Sequence, residues 1–128
     1  MPLTASATTP RYTSDITQSD LDALDAFLTE RVCALAMKHD HGAEESNAAS
    51  ALSTALISVT HNLRRTFEYD DGSAEILKAR RRHWNLLCRI AEPWQQTEGY
   101  DHFRWRTTQY TDAASEERMA RYYRKQVR

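Results

Sequence analysis

The sequence predicts an all-α, single-domain, four-helix bundle-like fold, and three observations carry that prediction. Three glycines and three prolines in 128 residues leave little material for hairpins and tight turns. Apolar residues recur at helical spacing over four separate stretches, and the short alternating stretch near residue 105 has no second strand to pair with. The chain is also the size of one ordinary domain, at about 100–150 residues, with 41% hydrophobic and 27% charged residues. Residues 1–15, rich in Thr, Ser, Ala and Pro, predict a disordered tail and leave 16–128 as the helical domain.

The first helix is predicted to begin at Thr17. Thr17 and Asp20 fit a capping box, and Ile16 and Leu21 fit the flanking hydrophobic staple. Leu21, Leu24, Leu28, Val32, Leu35 and His39 then form one stripe, with Gly42 as the stop. A second helix from about Ala43 to about Phe67 carries Ala49, Leu52, Leu56, Val59, Leu63 and Phe67 on one face. It has no charge between Ser46 and Thr60, which predicts a central position or a subunit contact.

Asp70-Asp71-Gly72-Ser73 reads as a turn that caps a third helix from about Ala74 to Glu92. At about 100° per residue, Ile76, Leu87, Ile90 and Trp94 fall on one side. Lys78, Arg81, Arg82, Asn85, Arg89 and Glu92 fall on the other. Arg80 and His83 lie within the apolar stripe and therefore need partners, for which Asp25, Glu30 and Glu68 are candidates. Pro93 ends this helix, and residues 95–110 predict an irregular aromatic segment strapped over the bundle. A last helix begins at Thr111 or Ser115, pairs Glu117 with Arg121, and has a basic end.

Net charge is −1, yet residues 1–72 carry five Lys/Arg against eleven Asp/Glu and residues 73–128 carry twelve against seven. An acidic half packed on a basic half explains this, and so does a basic half that faces a partner. The run from Arg80 to Arg106 holds all three tryptophans and six arginines. Read as a nucleic-acid surface, it offers Arg81, Arg82, Arg89, Arg104 and Arg106 to phosphates and Trp105 for base stacking. Read as a buried polar site, Arg80 and His83 share one helix face and form either a structural ion pair or an anion-binding or acid–base site.

Familiar chemistry finds no motif here. Gly42, Gly72 and Gly99 are isolated, so no phosphate loop exists, and no serine sits in a nucleophile elbow. The Asp70–Ser73 turn does not continue into a calcium loop, and no histidine falls at zinc-site spacing, so neither a metal nor a cofactor is expected. Cys33 and Cys88 lack CxxC spacing, no stretch reads as a secretory signal or a membrane span, and a reduced, cytoplasmic protein is the simplest account.

Lys78-Ala79-Arg80-Arg81-Arg82 before a Leu-rich helix, Ala91-Glu92-Pro93-Trp94, Gly99-Tyr100-Asp101 and Arg104-Trp105-Arg106 together resemble the C-terminal pattern of an uncharacterised family. Its members are small, mostly helical proteins of actinomycetes and their phages, and Phe27-Leu28-Thr29-Glu30-Arg31 is similar to their opening helix. The resemblance implies a compact bacterial or phage accessory protein and assigns no catalytic residue. The functions expected from the sequence are, in order, an interaction or regulatory protein acting through a protein partner or as a homo-oligomer, a nucleic-acid-binding module, and a helical enzyme built on Arg80 and His83.

Overall fold

A computed structural model describes residues 8–127. Four α-helices span Gln18–Lys38 (α1), Glu44–Glu68 (α2), Ala74–Ala91 (α3) and Ala113–Gln126 (α4), and the described residues contain no strand. The all-α, bundle-like fold predicted from spacing is the one observed, with a 3-10 turn at Thr13–Asp15 ahead of α1 and another at Glu92–Trp94 after α3.

Three of the four helix starts have a local side-chain cap. At α1 the Thr17 hydroxyl accepts from Asp20 N–H at 3.2 Å and the Asp20 carboxylate accepts from Thr17 N–H at 2.8 Å, so two otherwise unpaired donors are satisfied reciprocally. At α3 the Ser73 hydroxyl accepts from Ile76 N–H, and at α4 the Asp112 carboxylate accepts from Ser115 N–H. Asp112 therefore settles a start that spacing alone left between Thr111 and Ser115.

α1 packs along α2, and α2 packs along α3. Leu21, Leu24, Phe27, Leu28 and Val32 of α1 meet Ala49, Leu56 and Leu63 of α2 and Trp84, Leu87, Cys88 and Ala91 of α3 in one core. Leu35, predicted on the α1 stripe, lies beyond this core and is exposed. The uncharged stretch of α2 supplies the small residues Ser46, Ala49 and Thr60 to the buried face, which accounts for its close fit between two neighbours.

Residues 95–110 lie across α3 as the sequence predicts, and they bring Trp105 into the core. Two points differ from the expected pattern. Asn85, predicted on the solvent face of α3, is buried, because the strap covers that side of the helix and bonds to it. In the predicted tail, residues 1–7 lie outside the described residues, whereas residues 8–15 include a fully buried Thr13. Thr13 N–H donates to Tyr110 C=O at 3.1 Å, Ser14 N–H donates to Thr111 C=O at 3.0 Å, and Tyr12 and Tyr110 form an isolated parallel bridge. The end of the strap gives this segment a backbone partner, which composition alone does not show.

α4 stands apart. Among the described residues it packs against none of the other three helices and buries none of its side chains.

Candidate functional site

The arginines singled out by the sequence serve different ends. Arg80 is only 5% exposed and ties the end of α2 to α3. Its Nε donates to Thr66 Oγ1 at 3.2 Å, one terminal nitrogen donates to Thr66 C=O at 2.6 Å and to Asp70 Oδ2 at 3.1 Å, and its guanidinium lies 4.0 Å from the Phe67 ring centre. The counter-charge is Asp70, in the turn itself, and not Asp25, Glu30 or Glu68. The Gly72 N–H and this arginine hold the Asp70 carboxyl below its ordinary range.

His83 is partly buried about one turn further along α3. Burial, with a smaller contribution from Arg82, lowers its pKa and favours the neutral imidazole. Arg80 with Thr66, Phe67 and Asp70 forms a clamp between the end of α2 and α3. No substrate group reaches Arg80 without displacing those partners.

Arg104, predicted to contact phosphate, is spent on Asp20. Its Nε and a terminal nitrogen donate to the two carboxylate oxygens at 2.9 and 2.6 Å, and further bonds reach the carbonyls of Thr8 and Asp15. Both side chains are nearly nine-tenths buried. Burial alone would push the Asp20 carboxyl up, but the Arg104 guanidinium and the Thr17 N–H outweigh it and hold the carboxyl below its ordinary range.

Trp105, predicted to stack on bases, is 5% exposed and sits among Phe27 and Tyr100, with ring centres 4.9 and 5.2 Å away. Its ring is a core element because the strap folds inward at this point. Arg81 donates through Nε to Thr108 C=O at 3.1 Å, and Arg106 donates to His102 C=O. Arg82 and Arg89 remain exposed on α3. The six predicted contact residues therefore do not assemble into one surface.

A cleft of about 400 Å³ opens between the end of α3 and the strap, with Cys88, Glu92, Tyr100, His102 and Arg106 among its lining residues. Burial pushes the Cys88 thiol far up, which keeps it protonated and removes it as a nucleophile. Among the described residues no group of three or more His, Cys, Asp or Glu side chains could hold a metal ion. No described helix is long and apolar enough to cross a membrane.

Tyr69 and Phe103 are exposed singly, whereas on α4 two exposed aromatic rings lie together. Asp112 starts this helix, and Glu116 anchors its first turn to the N-terminal segment. Arg11 donates to both Glu116 oxygens at 3.0 Å, and the Tyr12 hydroxyl donates to one of them at 2.5 Å. These two donors hold the Glu116 carboxyl below its ordinary range.

Beyond that anchor, Met119, Tyr123 and Val127 recur at i, i+4 spacing with Tyr122 beside them. Tyr122 and Tyr123 are each more than half exposed, Val127 is 86% exposed, and the two tyrosine rings meet edge to face at 5.6 Å. The other side of the helix carries Arg118, Arg121, Arg124 and Lys125, with Glu117 bridging Arg121 at 3.2 Å and Arg124 at 3.7 Å. The signal available in the sequence was the Met119–Tyr123 spacing; what spacing does not say is whether the body covers it.

Comparison with known proteins finds no matching family model, curated protein or solved structure.

Proposed function

We propose that the chain is a small, non-enzymatic interaction or regulatory protein whose contact element is α4. One observation carries this reading: among the described residues α4 is an amphipathic helix that packs on no other helix and leaves Met119, Tyr122, Tyr123 and Val127 open to solvent. A helix of 14 residues is marginal in water without tertiary packing, and aromatic side chains flanked by arginine are what interface centres use. A partner that covers the apolar face would both stabilise α4 and hide these rings. The resemblance of residues 79–106 to small helical proteins of actinomycetes and their phages supports a bacterial or phage accessory role, and the unpaired thiols support a reducing, cytoplasmic setting.

A second reading, a nucleic-acid-binding module, rests on Arg118, Arg121, Arg124 and Lys125 beside the two exposed tyrosines, together with Arg82 and Arg89. It ranks lower because the strongest stacking candidate, Trp105, is buried and Arg104 is paired with Asp20.

The test compares the wild-type chain with Met119→Glu and Tyr123→Glu in affinity capture and on immobilised DNA and RNA. The proposal expects a protein, a second copy included, that is retained by the wild type and lost in both variants. Retention of nucleic acid that falls with salt and disappears in Arg121→Ala/Arg124→Ala, with no protein retained, overturns it in favour of the second reading.

A further inference from the structure

We infer that the cleft between the end of α3 and the strap binds a small zwitterion of the free amino acid class, with Arg106 taking its carboxylate and Glu92 its ammonium group. The cleft holds about 400 Å³, which lies inside the roughly 300–1,000 Å³ of small-molecule sites. No residue of α4 lines it, so it is independent of any partner that α4 takes.

Two opposite charges line this cleft without neutralising each other. The chain matches Arg11, Arg64, Arg80 and Arg104 with carboxylates, yet among the described residues neither Glu92 nor Arg106 enters an ion pair. An acid and a base held apart on one cleft are complementary to a molecule that carries both signs.

The positive end is positioned before any ligand arrives. Arg106 Nε donates to His102 C=O at 2.8 Å, and Trp84 Nε1 donates to Arg106 C=O at 2.8 Å, which fixes the strap backbone at the same residue. The two terminal nitrogens of Arg106 bond to no described residue and suit the paired hydrogen bonds that a carboxylate accepts from arginine. The negative end has two sources. Glu92 caps the C-terminal end of α3, where the helix dipole adds to its carboxylate in favouring a cation.

Tyr100, half-buried in the same lining, is within reach of both charges. Burial and Cys88 push its hydroxyl up, and beyond them Glu92 raises it while Arg106 lowers it. It offers a neutral hydrogen bond to a ligand held by the two ends. The Cys88 thiol stays protonated and so adds no competing charge. Because Glu92 and Arg106 are themselves exposed, each contact is weak, and a dissociation constant of about 1 mM is expected.

Hydrogen–nitrogen correlation spectra of the full chain, titrated with each free L-amino acid to about 20 mM, test this. Saturable shifts of the Glu92, Tyr100 and Arg106 amides are expected with at least one amino acid. Its N-acetyl and its amide forms, which each lack one charge, are expected to bind about tenfold more weakly. Glu92→Gln and Arg106→Gln are each expected to weaken the parent amino acid about tenfold. Glu92→Gln should also cease to distinguish the parent from its N-acetyl form, which a merely loosened strap would not produce. That substitution changes only an exposed side chain, so the folded chain remains available for the test.

Spectra that no amino acid shifts at these three residues overturn the inference. Binding that survives both substitutions does the same. Derivatives that bind as tightly as the parent reduce the cleft to a site for a single charge and overturn the zwitterion.

Discussion

Asn85 and Thr108 exchange two hydrogen bonds: the Asn85 side-chain amide donates to Thr108 C=O at 2.9 Å, and Thr108 N–H donates to the Asn85 side-chain oxygen at 2.8 Å. One side chain on α3 thus replaces the missing strand partner of the strap's backbone. Arg81 adds a second donor to the same carbonyl, Thr13 Oγ1 lies 2.8 Å from Thr108 Oγ1, and Trp84 Nε1 donates to Arg106 C=O at 2.8 Å. The strap is held by side chains of α3 because it has no ladder of its own.

Asn85→Ala strips the buried Thr108 N–H of its acceptor, while the Thr108 C=O keeps Arg81 Nε. The expected cost is about 1–3 kcal/mol, the penalty for stranding a buried polar group. Chemical denaturation measures the loss. Hydrogen exchange should show the Thr108 amide losing protection more than amides in the middle of α1.

Arg104→Gln removes the guanidinium from a nearly buried carboxylate and is expected to cost about 2–4 kcal/mol, a little under the range for a fully buried pair. The pH dependence has a definite sign. Because the folded Asp20 carboxyl lies below its ordinary value of 3.8, the pair contributes fully above that value, and its contribution is lost as pH falls through the folded pKa. Thermal unfolding should therefore show the wild type and Arg104→Gln converging below about pH 4. A difference that does not shrink as the pH is lowered from about 5 into the acid range contradicts this assignment.

The helices were legible because their causes are local. Thr17 with Asp20 at α1 and Ser73 at α3 sit within three residues of what they cap, and Leu21, Leu24 and Leu28 repeat at the helical period. The sites were less legible because their partners are distant. Arg104 finds Asp20 at a separation of 84 residues, and Thr13 finds Thr108 at 95. A polar residue such as Asn85 looks the same in sequence whether water or a strap covers it. The arginine-aromatic run from Arg80 to Arg106 looked like a surface for this reason, and Trp105 and Arg104 turned inward.

Cys33 and Cys88 should differ sharply toward thiol reagents. Cys33 is exposed, whereas Cys88 is buried with its thiol pushed up, so a native chain is expected to label at Cys33 and to label at Cys88 only once unfolded. Rapid modification of both cysteines in native buffer contradicts the packing at the end of α3.

The central claim is that α4 is a contact helix completed by a partner. Hydrogen exchange of its backbone amides, compared between the free chain and the chain bound to the protein it retains, a second copy included, tests that claim most directly. The account predicts fast exchange in α4 of the free chain, protection from Met119 to Val127 in the complex, and neither retention nor that gain in Tyr123→Glu. A complex in which α4 exchanges as fast as in the free chain would contradict it.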